Sequence, residues 1–462
     1  MTDFDFSSCE QEPIHLVGSI QRGGYLIGVD AETRVVRFGS GNLFRLLGRP
    51  VAALCGQPLE SVFDRPSAAA LGAAIANESF GYANLMTLSA LDYEGHLVPI
   101  VAVINPANGA FLIEFATPLA TEERLAGLET IRAADTPKAL LQACCDLVFE
   151  VSRYDRVMAY VFDADYNGEV VAESRRSDVA SYLRHHFPAH DIPRQARELY
   201  LKNTVRVIDN VAADPELLEG PDSRFRVDLT HSVYRTVSPV HIEYLRNMGV
   251  AASMSLSLIA DGRLYGLIAA HAIVRRGVGL RVRAHFAELI GVVNRRLQAF
   301  LDREHAELAE RFDQARSALF GPAASIVALR HVFHCDRIVR ARDGRIETDG
   351  ETPAAEAWVR QLLAEIPPAE LSFTDRHANG QWPGIAHIPL ADGGRLLLLR
   401  TEWSQTIHWG GNPYDPNTLP FKGGRVEPRK SFATYEQIIS GRSSPWTAEQ
   451  RAFAARLMNG DV

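Results

Sequence analysis

Between residues 156 and 271 the chain concentrates side chains that could grip an acidic, conjugated small molecule. FPAHDIPRQARELY places the carboxylate of Asp191 just ahead of a helix whose start is marked by Pro193, and VRVI supplies Arg206. YRTVSPVHIEYLRNMG adds Arg235, His241 and Tyr244, the last two three residues apart and so on one helical face. In ASMSLSLIADGRLYGLIAAHAI, Ser253, Ser255 and Ser257 alternate with Met254, Leu256 and Leu258, so one strand face carries hydroxyls and the other core. With His271 and Tyr160, one domain presents two guanidiniums, two histidines, two tyrosines and several hydroxyls. Guanidiniums take carboxylates in bidentate fashion, so the set suits a flat ligand with two acidic arms. Singly each residue is better explained as structural; together they are hard to place as mere surface.

Other chemistries fit poorly. RHHFPAHD puts His185, His186, His190 and Asp191 within one short run, but neighbouring side chains of an extended, proline-containing segment point apart, and a metal needs them to converge. No phosphate-cradling G-x-x-x-x-G-K-[ST] and no strand–G-x-G-x-x-G–helix occurs. Cys9 stands in a polar leader with His15 nearby, yet without an evident helix N-terminus or carboxylate to activate it as an enzymatic nucleophile.

The elements that must position these groups fall into three parts. Residues 24–117 alternate short apolar runs with turns (YLIGVD, RVVRFG, the helix NLFRLLG, then LVPIVAVI and GAFLIEFA), a small α+β domain on an antiparallel sheet. A second part, to about 300, begins with the helix TPKALLQACCDLVFEVSRY, where Cys144 and Cys145 read as core. It continues through strands RVMAYVFD and GEVVAES, an irregular LRHHFPAHDIP, helix RQARELYLKN, strand VRVIDNV, a long loop, helix SPVHIEYLRNMG and the serine hairpin. In that hairpin a regular two-residue Asp261–Gly262 turn would pair Ser255 with Ile268 and turn His271 away from the serines; sharing a face requires a three-residue turn or a bulge. From about 281, Phe286, Leu289, Ile290, Val293, Leu297, Phe300 and Leu301 keep three-and-four spacing, a long helix able to meet a second copy of itself. The third part ends in a long aperiodic stretch, HWGGNPYDPNTLPFKGGRVEPRKSFATYEQ, of the kind that is functional when ordered.

The 462 residues allow about three domains. An apolar share of 47% and a net charge of −8 describe a soluble globular chain without a nucleic-acid partner. Apolar runs are too short to span a bilayer and no signal-like start is seen, so the chain reads as cytoplasmic; five cysteines without C-x-x-C spacing fit reduced thiols.

CEQEPIH…GSIQ, PAHDIP, SPVHIEYLRNMGVAASMSLSL, GLIAAH, WGGNP and PRKSF together closely resemble the photosensory module of bacteriophytochromes over nearly the whole chain. The resemblance implies PAS (1–120), GAF (121–300) and PHY (301–462) domains, an α+β architecture of antiparallel sheets with a long connecting helix, a tongue at about 403–436, and a knotted PAS–GAF pair threaded near Ile20. It implies biliverdin, joined by a thioether to Cys9. Asp191, through its carbonyl, and His241 would serve the pyrrole nitrogens, with Ile192 and Pro193 completing the motif. Arg206 and Arg235 would bind one propionate, and Ser253, Ser255, Tyr200 and His271 the other or the ring D carbonyl. Met158, Tyr160, Phe187 and Tyr244 would wall ring D. Arg429 would pair with Asp191 in one light state and Ser431 replace it in the other. A homodimer through the helix at 281–318, and an output domain or separate signalling partner, are implied as well; no effector follows SPWTAEQRAFAARLMNGDV, so this chain is expected to be a sensor, not an enzyme.

The pattern departs in places. IQRGG stands for Q-P-H-G, His190 for the serine of P-A-S-D-I-P, and AAHAI for C-H-H, leaving Ala270 and Ala272 beside His271; the PHY part is short. His190 adds a titratable group beside Asp191. The rival class is a PAS/GAF receptor for a small metabolite or cyclic nucleotide, which has no need of Cys9.

Overall fold

The alternation in YLIGVD, LVPIVAVI and GAFLIEFA becomes the strands Tyr25–Asp30, Leu97–Ala107 and Ala110–Ala116. The computed structural model describes residues 12–119, 127–220, 227–321, 325–378, 380–414 and 428–460. These fall into two units, 1–299 with 409–435, and 300–408 with 436–462.

In the first unit a seven-stranded antiparallel sheet contains those three strands together with Ser19–Ile20, Val36–Ser40, Met86–Leu91 and Glu216–Glu219. Its core gathers Ile27, Leu43, Phe63, Leu71, Ile104 and Phe115. The helix Leu43–Leu47 stops at Gly48, whose φ of 65° is a left-handed cap that glycine takes without strain.

One reading is corrected here. The loop expected after VRVIDNV contains the strand Glu216–Glu219, which pairs with Ser19–Ile20 on one edge and Val36–Ser40 on the other. Both partners are remote in sequence, so no local pattern marks it. Residues 19–21 are held from their other side too: Gln21 N–H donates to the Tyr234 carbonyl at 2.7 Å and Thr236 N–H to that of Ser19 at 3.3 Å.

The second sheet of this unit runs in the order Val205–Ile208, Ala252–Ala260, Arg263–Ala272, Arg156–Phe162, Gly168–Arg175, His185–Phe187, and continues into strands that include residues 409–410 and 434–435. Helix Pro137–Ser152, capped by Thr136, buries Leu140, Leu141, Leu147 and Val148 together with both Cys144 and Cys145, as core cysteines would be. The serine hairpin resolves its parity with a bulge. Asp261 and Gly262 form a two-residue turn at φ 50° and 67°. The register then slips between Leu258, opposite Gly266, and Ile259, opposite Leu264, so Tyr265 is the extra residue. Ser253 therefore faces His271 directly and Ser255 faces Ala269.

The second unit has a five-stranded antiparallel sheet, ordered Arg345–Asp349, Arg337–Arg342, Arg395–Arg400, Gly384–Pro389, Ser372–Thr374, over a core that includes Phe312, Phe333, Leu398, Trp446 and Phe453. Its last helix, Ala448–Asn459, opens with a Thr447–Gln450 capping box. The helix Leu280–Phe320 buries Phe286, Leu289, Ile290, Val293 and Leu297 in its first half and Phe312, Ala315 and Leu319 in its last turns. Among the described residues no helix is long and apolar enough to cross a membrane.

Candidate functional site

Strand register assembles one face of the second sheet. Arg206 and Ile208 stand opposite Ser255 and Ser253; these stand opposite Ala269 and His271; and those stand opposite Met158 and Arg156, with Leu267 opposite Tyr160. Because paired residues in a ladder point the same way, four strands present a single mixed surface. The helices Arg194–Lys202 and Pro239–Asn247 contribute Tyr200, His241 and Tyr244 opposite it, enclosing a cavity of about 480 Å³, within the usual range for a small-molecule site.

Two arginines dominate its electrostatics. Arg206 donates to the carbonyls of Ser232 (3.2 Å) and Arg235 (2.7 Å), and Arg235 to that of Ile14 (2.6 Å). They are only 7% and 4% exposed. Among the described residues neither forms an ion pair with a carboxylate. Burial pushes both pKa values down, that of Arg235 to about 9 with help from Arg206. Two buried cations without a counter-ion on one cavity wall fit a ligand with acidic arms. The nearby imidazoles are neutral: burial, then Arg206, pushes His241 to about 4, and burial, Arg156 and His241 push His271 to about 3.

At the other end Asp191, in the short turn Ala189–Asp191, accepts from the Tyr244 hydroxyl at 3.0 Å and pairs with the guanidinium of Arg429. His190 Nε2 lies 3.7 Å from the other carboxylate oxygen, and burial lowers its pKa. Burial opposes the charge on Arg429, but Asp191 and Tyr244 outweigh it and raise its pKa. Arg429 also donates to the Gly410 carbonyl at 2.8 Å, while its own carbonyl accepts from Asn247 at 2.9 Å. A Cβ on Gly410 would lie 2.5 Å from the Phe187 ring, and one on Gly411, at φ 100°, 2.4 Å from the Ser431 carbonyl oxygen and 3.0 Å from Arg429. The glycine pair is what lets this backbone come so close.

The remaining expected residues divide as follows. Met158, Tyr160 and Phe187 form an apolar wall, with the Tyr160 hydroxyl donating to the Phe187 carbonyl at 3.2 Å. Ile192, Pro193, Tyr200, Ser253 and Ser255 also line the cavity, and the Ser255 hydroxyl donates to that of Tyr200 at 3.4 Å. Ile20 is fully buried in a backbone bridge to Arg235 and is not on the wall. Ser431 is exposed and takes no part in the Asp191 cluster. Cys9 lies outside the described residues, but Glu12 and Ile14 line the cavity, and Glu12 accepts from the Ser238 hydroxyl at 2.9 Å.

Several contributors escaped the sequence reading. Arg156 is one, although the alternation of Arg156, Met158 and Tyr160 was visible. Gly410 with Gly411 is another, signalled only as a doublet after Trp409. Phe432, which meets Tyr244 edge-on at 5.1 Å, is a third.

Comparison with known proteins places these features. Family models match as "PAS fold" over residues 9–117, "GAF domain" over 136–301 and "Phytochrome region" over 301–460. The class is thus a PAS–GAF–PHY sensory module. A bacteriophytochrome of Xanthomonas campestris is 31% identical, aligned over 96% of this chain and 76% of its own length; one of Pseudomonas aeruginosa is 31% identical over 99% and 66%. The phytochrome photosensory core module of Stigmatella aurantiaca superposes with a TM-score of 0.80 at 30% identity, covering 98% of this chain and 97% of that one. A bacteriophytochrome from R. palustris gives 0.79 at 26% identity, covering 98% and 99%. The chain belongs to the bacteriophytochrome family. It spans 66% of the length of the Pseudomonas protein and 63% of that of the Nostoc cyanobacterial phytochrome A.

Proposed function

We propose that the chain senses red and far-red light through biliverdin held in this cavity and joined to Cys9. The observation that carries this is the pair of buried arginines without a counter-ion among the described residues, set in a cavity that also has neutral imidazoles at one side and an Asp–Arg pair at its end. When bound, the bilin supplies the visible absorption and a 15,16 double bond that light isomerises.

The chain's residues do the rest. Arg206 and Arg235 hold one propionate; Ser253, Ser255 and Tyr200 hold the other, with His271 at the ring D carbonyl. The Asp191 carbonyl and His241 accept pyrrole N–H groups. Met158, Tyr160, Phe187 and Tyr244 bound the space of ring D. Three extended residues reach about 10 Å, so Glu12 at the cavity leaves Cys9 within range of a vinyl group. Arg429 on Asp191 is the point at which rotation of ring D would be felt by the tongue, with Ser431 taking its place in the second state. Clamping of residues 19–21 between 216–219 and 234–236 supports the knotted PAS–GAF pair. Domains at 1–120, 121–300 and 301–462, dimerisation through the helix at 281–318, and signalling to an output domain or separate partner complete the reading.

The test is an absorption spectrum with added biliverdin, before and after red and far-red illumination, beside Cys9→Ala. Reversible bands, with covalent attachment lost in the mutant, are expected. Absence of binding would defeat the proposal and leave a metabolite-sensing GAF domain in its place.

A further inference from the structure

Arg156 is buried, with both terminal nitrogens engaged and its Nε without a hydrogen-bond partner among the described residues. One terminal nitrogen donates to the Ala180 carbonyl at 2.8 Å, its guanidinium lies over the Tyr182 ring at 3.8 Å, and the other terminal nitrogen sits 3.4 Å from Nδ1 of His271, which it opposes in the ladder. A guanidinium has five N–H donors and no acceptor. The contact therefore forms only if Nδ1 offers its lone pair, which places the imidazole proton on Nε2, on the far side of the ring. We infer that Arg156 is a positioning residue that fixes His271 as the Nε2–H tautomer, a neutral hydrogen-bond donor to whatever occupies the cavity; only the identity of that occupant rests on the bilin reading.

The surroundings agree. Ser253, opposite His271 on the neighbouring strand, brings no charge. The charged or titratable groups acting on the ring, Arg156 from its own sheet and His241 from the helix Pro239–Asn247, both disfavour an added proton, as burial does. An imidazolium would turn a second N–H against the guanidinium. His271 so fixed selects a ligand acceptor such as a ring carbonyl and disfavours a ring N–H at that position. Nothing in the departure from C-H-H to AAHAI disturbs this, because the proton is placed from the Arg156 side.

The experiment is 15N NMR of histidine-labelled, ligand-free protein, with His271 assigned by the signal missing from His271→Gln. The expected result is a neutral Nε2–H signature that does not titrate between about pH 6 and about pH 8. In Arg156→Met the Nδ1–H form should appear and the titration move up by about one pH unit. Arg156→Lys, which keeps a cationic donor, should restore the original tautomer. An Nδ1–H signal or an imidazolium at neutral pH in the unmodified protein would overturn the inference, as would an Arg156→Met spectrum identical to it. If Arg156→Met does not fold, the tautomer of the unmodified protein decides alone. Because no bilin is present, failure to bind bilin would defeat the photoreceptor reading and leave this result standing.

Discussion

Removing one of the buried cations should make the ligand-free protein more stable and the ligand-binding protein worse. Arg235 gives up its hydration and, among the described residues, receives only a backbone carbonyl at 2.6 Å in exchange. Arg235→Met should therefore raise the Tm of the ligand-free chain while weakening biliverdin binding about tenfold or more, since a charge-assisted hydrogen bond contributes roughly 1.5–3 kcal/mol. Thermal melts and titrations on the same preparations check both halves, and a variant that lowers Tm would refute the account. The two histidines make a separate prediction. His241 and His271 fall from 6.5 to about 4 and about 3 on folding, so between those values and 6.5 the unfolded chain binds more protons. Stability should hold above about pH 7 and drop as pH falls from about 6.5 toward 4, and His241→Gln with His271→Gln should flatten that slope. Most of this site was legible: arginines, histidines and hydroxyls dense in one stretch are unusual, and their types name the chemistry. Arg156 was not, because its role depends on the ring nitrogen of a residue 115 positions further along the chain, on the adjacent strand of the sheet.

At the scale of elements, the sequence exposes periodicity and parity but not remote pairing. The serine hairpin shows this well: the demand that Ser253, Ser255 and His271 share a face predicts a longer turn or a bulge, and the register slip at Tyr265 meets it. The strands Glu216–Glu219 and His185–Phe187 carry no period that marks them in the sequence, because a strand of three or four residues exists only through the edges it joins. The same holds for the glycines that seat Arg429. Gly411→Ala forces a side chain into φ 100° and against the Ser431 carbonyl, a strain of roughly 1–3 kcal/mol. Amide exchange at residues 409–411 and 428–432 should then accelerate about tenfold or more, as it should in Arg429→Ala. If Gly411→Ala exchanges no faster, the close approach of the two segments is not what holds the arginine.

Across the first unit the two sheets should behave as one cooperative body. Glu114, on the strand Ala110–Ala116 of the first sheet, is fully buried and accepts from the Ser232 hydroxyl at 2.6 Å, Val233 N–H at 3.0 Å and Tyr234 N–H at 2.9 Å. Burial raises its pKa even though these three donors and the Asn105 amide, 3.3 Å away, work against that. Ile20 packs in a cluster drawn from both parts of the unit, with Phe38 and Val101 on one side and Leu229, Val233 and Tyr234 on the other. Residues 232–235 also carry the backbone carbonyls that hold Arg206, so the joint between the sheets and the cavity wall share one segment. Glu114→Ala strands four buried donors and should cost roughly 2–5 kcal/mol. Ile20→Ala, which empties a packed site, should cost roughly 2–4 kcal/mol. Either change should lower protection together at amides of Tyr25–Asp30 and of Ala252–Ala260, one strand from each sheet, in native-state hydrogen exchange. Loss confined to the first strand would mean that the sheets open independently, and the cavity could then be formed without the segment that delivers the N-terminus to it. Loss in both ties the attachment segment, the joint and the arginine wall into one unit, which is the condition for a thiol three residues upstream of Glu12 to meet its ligand at a fixed position.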